Sequence, residues 1–272
     1  MTTSAPLLPD DLKRIASFAK DIAIEAGNLG MGWFRHPVTI DEKADQSPVT
    51  EADRAVESLL RDRLRRQFPN HALLGEEFGA EGTGDAPTWV IDPIDGTRSF
   101  ITGWPVWGTL LALTQGGRSR LGILHMPALG ETWKAAEGLG CQFTGRDGLS
   151  HSARTSGCQH LTQARFYTTS PDYFDATEYS AYMAIRDACH VRRFGGDCYG
   201  YGLLALGHVD IVLESRLQPY DFLALVPVIE EAGGVISDWQ GQPLSMGSGE
   251  QVLAAATPEL HREALTLIAQ TG

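Results

Sequence analysis

Cysteine is scarce in this chain, with 4 in 272 residues: Cys141, Cys158, Cys189 and Cys198. None forms a C-x-x-C pair or sits at metal-ligand spacing from a histidine, which excludes a zinc finger and a disulfide scaffold and leaves reduced, partly buried thiols. Long apolar runs are missing too. No stretch approaches the roughly 20 apolar residues of a membrane-spanning helix, and residues 1–9 have neither a basic start nor a sustained apolar core. These absences predict a soluble, cytoplasmic protein with no membrane partner. Positive charge is in deficit: 22 Lys and Arg stand against 34 Asp and Glu, a formal net charge of −12. Such acidity disfavours binding to the phosphates of nucleic acid and suits metal ions or a cationic small molecule. Internal repeats and low-complexity segments are also absent.

What is present is ordinary for a globular enzyme, 43% hydrophobic and 21% charged residues in a chain long enough for one domain or two closely packed halves. Periodicity predicts a helix over 10–34, with Leu12, Ile15, Phe18, Ile22 and Ile24 near one side and Gly27 and Gly30 weakening its end. A brief strand at 39–40 precedes a polar loop that runs from Lys43 into a helix reaching about 68. Thr50 is placed to cap that helix, with Asp53 completing an approximate capping box. Five arginines between Arg54 and Arg66 read as its solvated face. A short strand over 72–77 ends in two acids, a loop covers 82–87, and strands follow at 109–114, 120–125, 132–137 and 140–144, the first two joined by a Gly116-Gly117 hairpin. Small polar residues at 150–161 suggest a boundary between halves 1–150 and 151–272. The second half alternates strands (165–169, 191–194, 211–214, 235–237, 251–256) with helices (175–189, 195–204, 222–232, 258–269). Two helices against an antiparallel sheet, then this alternation, give an α+β fold class.

The most informative stretch is Trp89-Val90-Ile91-Asp92-Pro93-Ile94-Asp95-Gly96-Thr97-Arg98-Ser99-Phe100. A short apolar run leads to two carboxylates, Asp92 and Asp95. Pro93 predicts that the strand ends at Asp92, Gly96 permits a sharp turn, and Thr97 is placed to cap a helix starting at Arg98. Read alone, the stretch also fits a surface turn. Asp53, Glu76 and Asp221 likewise stand where a strand ends or a helix begins. Carboxylates gathered in one pocket repel by on the order of 4 kcal/mol per contact at an effective dielectric near 20, so they persist only when protonated or neutralised by cations. Hard oxygen donors of this kind suit magnesium.

The segments Gly75-Glu76-Glu77, Trp89 to Thr97 and Pro219-Tyr220-Asp221 resemble the signature of the inositol monophosphatase-like family across nearly the whole chain. The resemblance implies a magnesium-dependent phosphatase with a layered αβαβα sandwich, two to three Mg2+ per site, and a homodimer. It implies Glu76, Asp92 and the Ile94 carbonyl as ligands of a first magnesium, and Asp92, Asp95 and Asp221 as ligands of a second. Asp53 and Thr97 resemble the pair that orients and deprotonates the attacking water, with Glu76 assisting. The amides of Gly96 and Thr97 resemble the phosphate cradle.

Within that family, Thr97-Arg98-Ser99-Phe100, Arg193-Phe194-Gly195-Gly196-Asp197-Cys198-Tyr199 and Leu217 to Phe222 resemble the histidinol-phosphate phosphatase subgroup. Asp197 stands where the inositol enzymes carry a small neutral residue, and Glu214 keeps a pocket carboxylate. Two acids beside the alcohol part of the ester suit an amine and an imidazole. Asp197 as a simple helix cap is the alternative. Arg98 and Arg192 complete the expected substrate contacts. The expected activity is hydrolysis of a small cationic monoester, L-histidinol phosphate; the alternatives are an inositol or broad sugar monophosphatase and a non-catalytic regulatory protein. Asp210 is expected merely to end a helix.

Overall fold

A computed structural model describes residues 7–42, 48–82 and 86–271. The opening six residues, most of the Lys43 loop and part of the 82–87 loop lie outside the described residues. The first half comprises α1 (Pro9–Gly30), β1 (Ile40–Glu42), β2 (Pro48–Thr50), α2 (Glu51–Gln67), β3 (Ala72–Gly75), β4 (Gly79–Glu81), β5 (Thr88–Asp95), α3 (Thr97–Ile101), β6 (Gly108–Gln115), β7 (Arg118–Met126), β8 (Glu131–Ala136), β9 (Gly140–Thr144) and β10 (Ser150–Ser152). There follow β11 (Arg165–Thr168), α4 (Ala176–Ala188), β12 (Val191–Phe194), α5 (Cys198–Ala205), β13 (Ile211–Glu214), α6 (Pro219–Phe222), α7 (Leu225–Glu230), β14 (Val235–Ser237), β15 (Val252–Ala255) and α8 (Pro258–Ala269).

An eight-stranded sheet ordered β10-β9-β8-β7-β6-β5-β3-β4 and a five-stranded sheet ordered β12-β11-β13-β15-β14 divide the molecule into layers. The alternation of side chains along the strands assigns each core. Trp89 and Ile91 of β5 join the α1 and α2 stripes, whereas Val90 joins Leu204 of α5 and Val228 of α7. Val212 of β13 faces that middle layer, and Ile211 and Leu213 pack with Tyr182 of α4 and Leu260 of α8. The result is helices, sheet, helices, sheet, helices: the αβαβα order. Helix α1 buries Leu12, Ile15, Ala19, Ile22, Ala23 and Ala26 on one stripe.

Several local expectations are corrected. Helix α1 stops at Gly30, short of 34, where the clustered glycines 27, 30 and 32 lower helix propensity. The first sheet is mixed, because β3 runs parallel to β5. Strand β5 does not end at Asp92 but crosses Pro93 through a bulge. Thr97 is the first residue of the five-residue α3, and Gly96 occupies the cap position with φ +81°. The helix expected over 222–232 is split into α6 and α7. Pro227 has no N–H to return to the Leu223 carbonyl, which accepts instead from Ser119 Oγ at 2.7 Å. Arg61 is not on the solvated face: it is buried against Glu57, with Nε donating to Glu57 Oε1 at 2.7 Å. Asp210 ends no helix; it is 1% exposed and paired with Arg165.

Candidate functional site

The bulge in β5 decides where its two carboxylates point. Residues three apart on a regular strand face opposite sides of the sheet. Here Asp92 opposes Leu110 and Asp95 opposes Gly108 on β6, so three steps along β5 match two along its partner. The extra residue puts both carboxylates on one face, towards the middle layer. Asp221, on α6, meets them there: one oxygen each from Asp92, Asp95 and Asp221 lie within 4.8 Å of one another. Each is aimed by a backbone amide. Ile94 N donates to Asp92 Oδ1 at 3.1 Å, Cys198 N to Asp95 Oδ2 at 2.7 Å, and Gln218 N to Asp221 Oδ2 at 2.6 Å.

Burial pushes Asp92 well above the usual carboxylate range, reinforced by the charges of Glu76, Asp95 and Asp221. Asp221 is raised in the same way, by burial and then Asp95. Asp95 is pushed up to about 7, by burial and then Asp197. Nothing cationic within the trio offsets this repulsion, and every donor is a hard oxygen, so the set fits a divalent cation of the magnesium type. Glu76 adds its charge from the turn after β3, electrostatically coupled to both Asp92 and Asp53.

That turn is held by a group not singled out from sequence. Glu57 of α2 is fully buried and accepts from the Glu77 amide at 2.7 Å while paired with Arg61. Gly75 makes this possible, because a Cβ there would lie 1.9 Å from Glu57 Oε1. The i, i+4 spacing of Glu57 and Arg61 reads in sequence as an ordinary surface pair, so only their burial reveals them.

Asp53 is both a cap and a neighbour of the cluster. Its Oδ2 accepts from Thr50 N at 2.8 Å and Thr50 Oγ1 at 2.5 Å. Its Oδ1 faces Thr97 Oγ1 at 3.5 Å, and Thr97 Oγ1 also lies 3.2 Å from the Ile94 carbonyl. Burial raises the Asp53 carboxyl, opposed by the Thr50 bonds.

A cleft of about 290 Å³ opens beside this cluster, with Glu76, Asp95, Gly96, Thr97 and Arg98 from the first half facing Asp197, Glu214 and Asp221 from the second. Asp197 does not cap α5: it makes no capping bond, and its Oδ2 accepts from Ser99 Oγ at 2.6 Å. A Cβ on Gly96 would lie 2.9 Å from the Asp197 carboxylate, so glycine there permits both the left-handed turn and the close approach. Glu214 Oε1 accepts from Thr169 N at 2.8 Å and Thr169 Oγ1 at 3.0 Å, and burial pushes its carboxyl up to about 8 against those bonds. Arg98 stacks its guanidinium 5.7 Å over Tyr173, another cleft residue absent from the sequence reading, as is Tyr201. Arg192 is not brought here; it lies exposed on the edge strand β12.

Known proteins place the chain. The profile of the inositol monophosphatase family matches residues 11–271. The chain is 42% identical over 265 residues to the bifunctional phosphatase IMPL2 of Arabidopsis thaliana, covering 94% of this chain and 75% of that protein. It is 37% identical to the histidinol-phosphatase of Chlorobaculum parvum, over 87% of this chain and 90% of that one. Among solved structures, an inositol monophosphatase from Zymomonas mobilis superposes with a TM-score of 0.85 at 40% identity, covering 94% of this chain and 98% of that one. A layered sandwich with converging acids at a bulged strand end, matched along nearly its full length, makes this chain a phosphatase of the inositol monophosphatase family.

Proposed function

We propose that the protein hydrolyses L-histidinol phosphate to L-histidinol and inorganic phosphate, a step of histidine biosynthesis, with magnesium held by Glu76, Asp92, Asp95, Asp221 and the Ile94 carbonyl. The observation that carries the substrate assignment is the pair Asp197 and Glu214 at the cleft, two acids from the second half facing the phosphate-side residues of the first. A polyol offers neutral hydroxyls, whereas histidinol offers an ammonium and an imidazole that such acids bind as charge-assisted partners. The resemblance to the Chlorobaculum parvum histidinol-phosphatase supports the same reading.

Within this reading, the amides of Gly96 and Thr97 and the Arg98 guanidinium hold the phosphate, Asp197 and Glu214 fix the amine end, and the Asp53–Thr97 pair orients the attacking water and takes its proton. The approach of Thr97 Oγ1 to Asp53 Oδ1, 3.5 Å, supports passage of that proton to the Asp53 carboxylate. Bound magnesium supplies the positive charge that makes water a nucleophile near neutral pH and offsets charge on the leaving oxygen. The second reading, inositol 1-phosphate hydrolysis, draws on the likeness to the Zymomonas mobilis enzyme.

A panel of histidinol phosphate, inositol 1-phosphate and other monoesters with magnesium separates them. The expected result is a higher kcat/KM for histidinol phosphate, falling roughly 10- to 100-fold in Asp197→Ala, with a much smaller fall for inositol 1-phosphate. A preference for inositol 1-phosphate would overturn the substrate assignment, and no phosphate release from any ester would favour a non-catalytic role.

A further inference from the structure

A second cavity, of about 580 Å³, lies between α1 and the β8–β9–β10 edge of the large sheet, and its chemistry is opposite to that of the cleft. Strand register builds its floor. Lys134 pairs with Gln142, and Gln142 with Ser152, so three polar side chains form one row across adjacent strands on the face that α1 covers. Lys13 and Ala16 of α1 line the opposite wall, and Arg154 stands just beyond β10. Lys20, two helical turns from Lys13, donates to Thr144 Oγ1 at 3.3 Å, in the neighbouring row of the same face.

In a chain of net charge −12, this gathering of cations is anomalous. Among the described residues, Lys13, Lys20, Lys134 and Arg154 form no salt bridge within 4.0 Å. Two acids are near. Glu231 lines the cavity, but its two oxygens accept from the Gly138 and Gly140 amides at 2.8 and 2.7 Å. Asp21 partly offsets the field at Lys134, whose ammonium is nonetheless held below its usual range by burial and by Lys20 and Lys13. Amines held this close repel one another, and an anion seated between them would relieve that repulsion. Ala136, Leu139 and Cys141 give the same cavity an apolar side.

We propose that this cavity is a binding site for a small anion of phosphate or polycarboxylate type, held between Lys13, Lys134 and Arg154 and seated on Gln142 and Ser152. The site is separate from the cleft: β8 lies three strand spacings from β5, about 14 Å. It needs no divalent cation, whereas the acids of the cleft repel anions until a metal neutralises them.

The test titrates the full chain with inorganic phosphate, and separately with citrate, by calorimetry with magnesium and after its removal. At least one anion is expected to bind without magnesium. Affinity should fall about tenfold or more in Lys13→Ala/Lys134→Met, where methionine keeps the apolar stem, and be largely retained in Lys134→Arg. The double variant should still hydrolyse the monoester. Lys13→Ala alone, at an exposed helix position, gives the same test at smaller size if the double variant melts early. No magnesium-independent binding of either anion, or undiminished affinity in both the single and double variants, would overturn the proposal. Binding of heparin but of neither small anion would do so as well, in favour of a polyanion surface.

Discussion

Glu57 sits beneath the turn that carries Glu76, with its carboxylate divided between the Glu77 amide and Arg61. Replacing it by glutamine leaves Arg61, 3% exposed, with only the half-exposed Glu81 as counter-charge. Glu57→Gln should therefore lower unfolding free energy by about 2–4 kcal/mol in chemical denaturation. Because the turn also positions Glu76, half-maximal activity should need severalfold more magnesium, while KM for the ester moves less. A wild-type denaturation midpoint together with a wild-type magnesium requirement would contradict this role. The residues proposed to hold the metals are legible in sequence by type and place, because Asp-Pro-Ile-Asp-Gly-Thr matches the family signature together with Glu76 and Asp221. Glu57 is not, because nothing local distinguishes a buried i, i+4 pair from a solvated one. Tyr173 and Tyr201 share that difficulty: their approach to the cleft depends on how α5 and the second sheet pack.

At the scale of elements, most strands and helices follow from periodicity, and two of the departures share a cause. Pro93 reads locally as a strand end, whereas Pro227 lies inside a helix expected to be continuous; in both places the missing N–H reshapes the element. At Pro93 the strand bulges and continues, which turns Asp95 onto the face of Asp92. At Pro227 the helix splits, and a hydroxyl 104 residues away in sequence takes the freed carbonyl. Neither outcome is visible without the partner strand. The second carries a prediction. Ser119→Ala leaves the Leu223 carbonyl unpaired between two layers, and should destabilise the fold by about 1–2 kcal/mol, measured by urea unfolding. A variant as stable as the wild type would mean that the α6–α7 junction does not depend on that bond.

For the molecule as a whole, the acids between the layers make stability a function of pH and metal. Asp95 near 7 and Glu214 near 8 both lie above the range of an unfolded carboxylate. The native state thus binds more protons than the unfolded chain over that interval. Their contribution is fully present below about pH 4 and is lost as pH rises through 7 to 8. The metal-free protein should melt progressively lower from about pH 5 to about pH 8.5. Saturating magnesium should raise Tm most at the alkaline end, by at least about 4 °C. A metal-free Tm that rises across this range would contradict the reading of the cluster as a set of mutually repelling acids.

Acids distant in sequence converge around Asp92, and we propose that together they hold the divalent cations. Turnover of Asp92→Asn at saturating magnesium, with the fold confirmed by circular dichroism, tests this most directly. Removing the central charge should cut phosphate release roughly 100-fold or more, without recovery at higher magnesium. Near wild-type turnover by this variant would contradict the account.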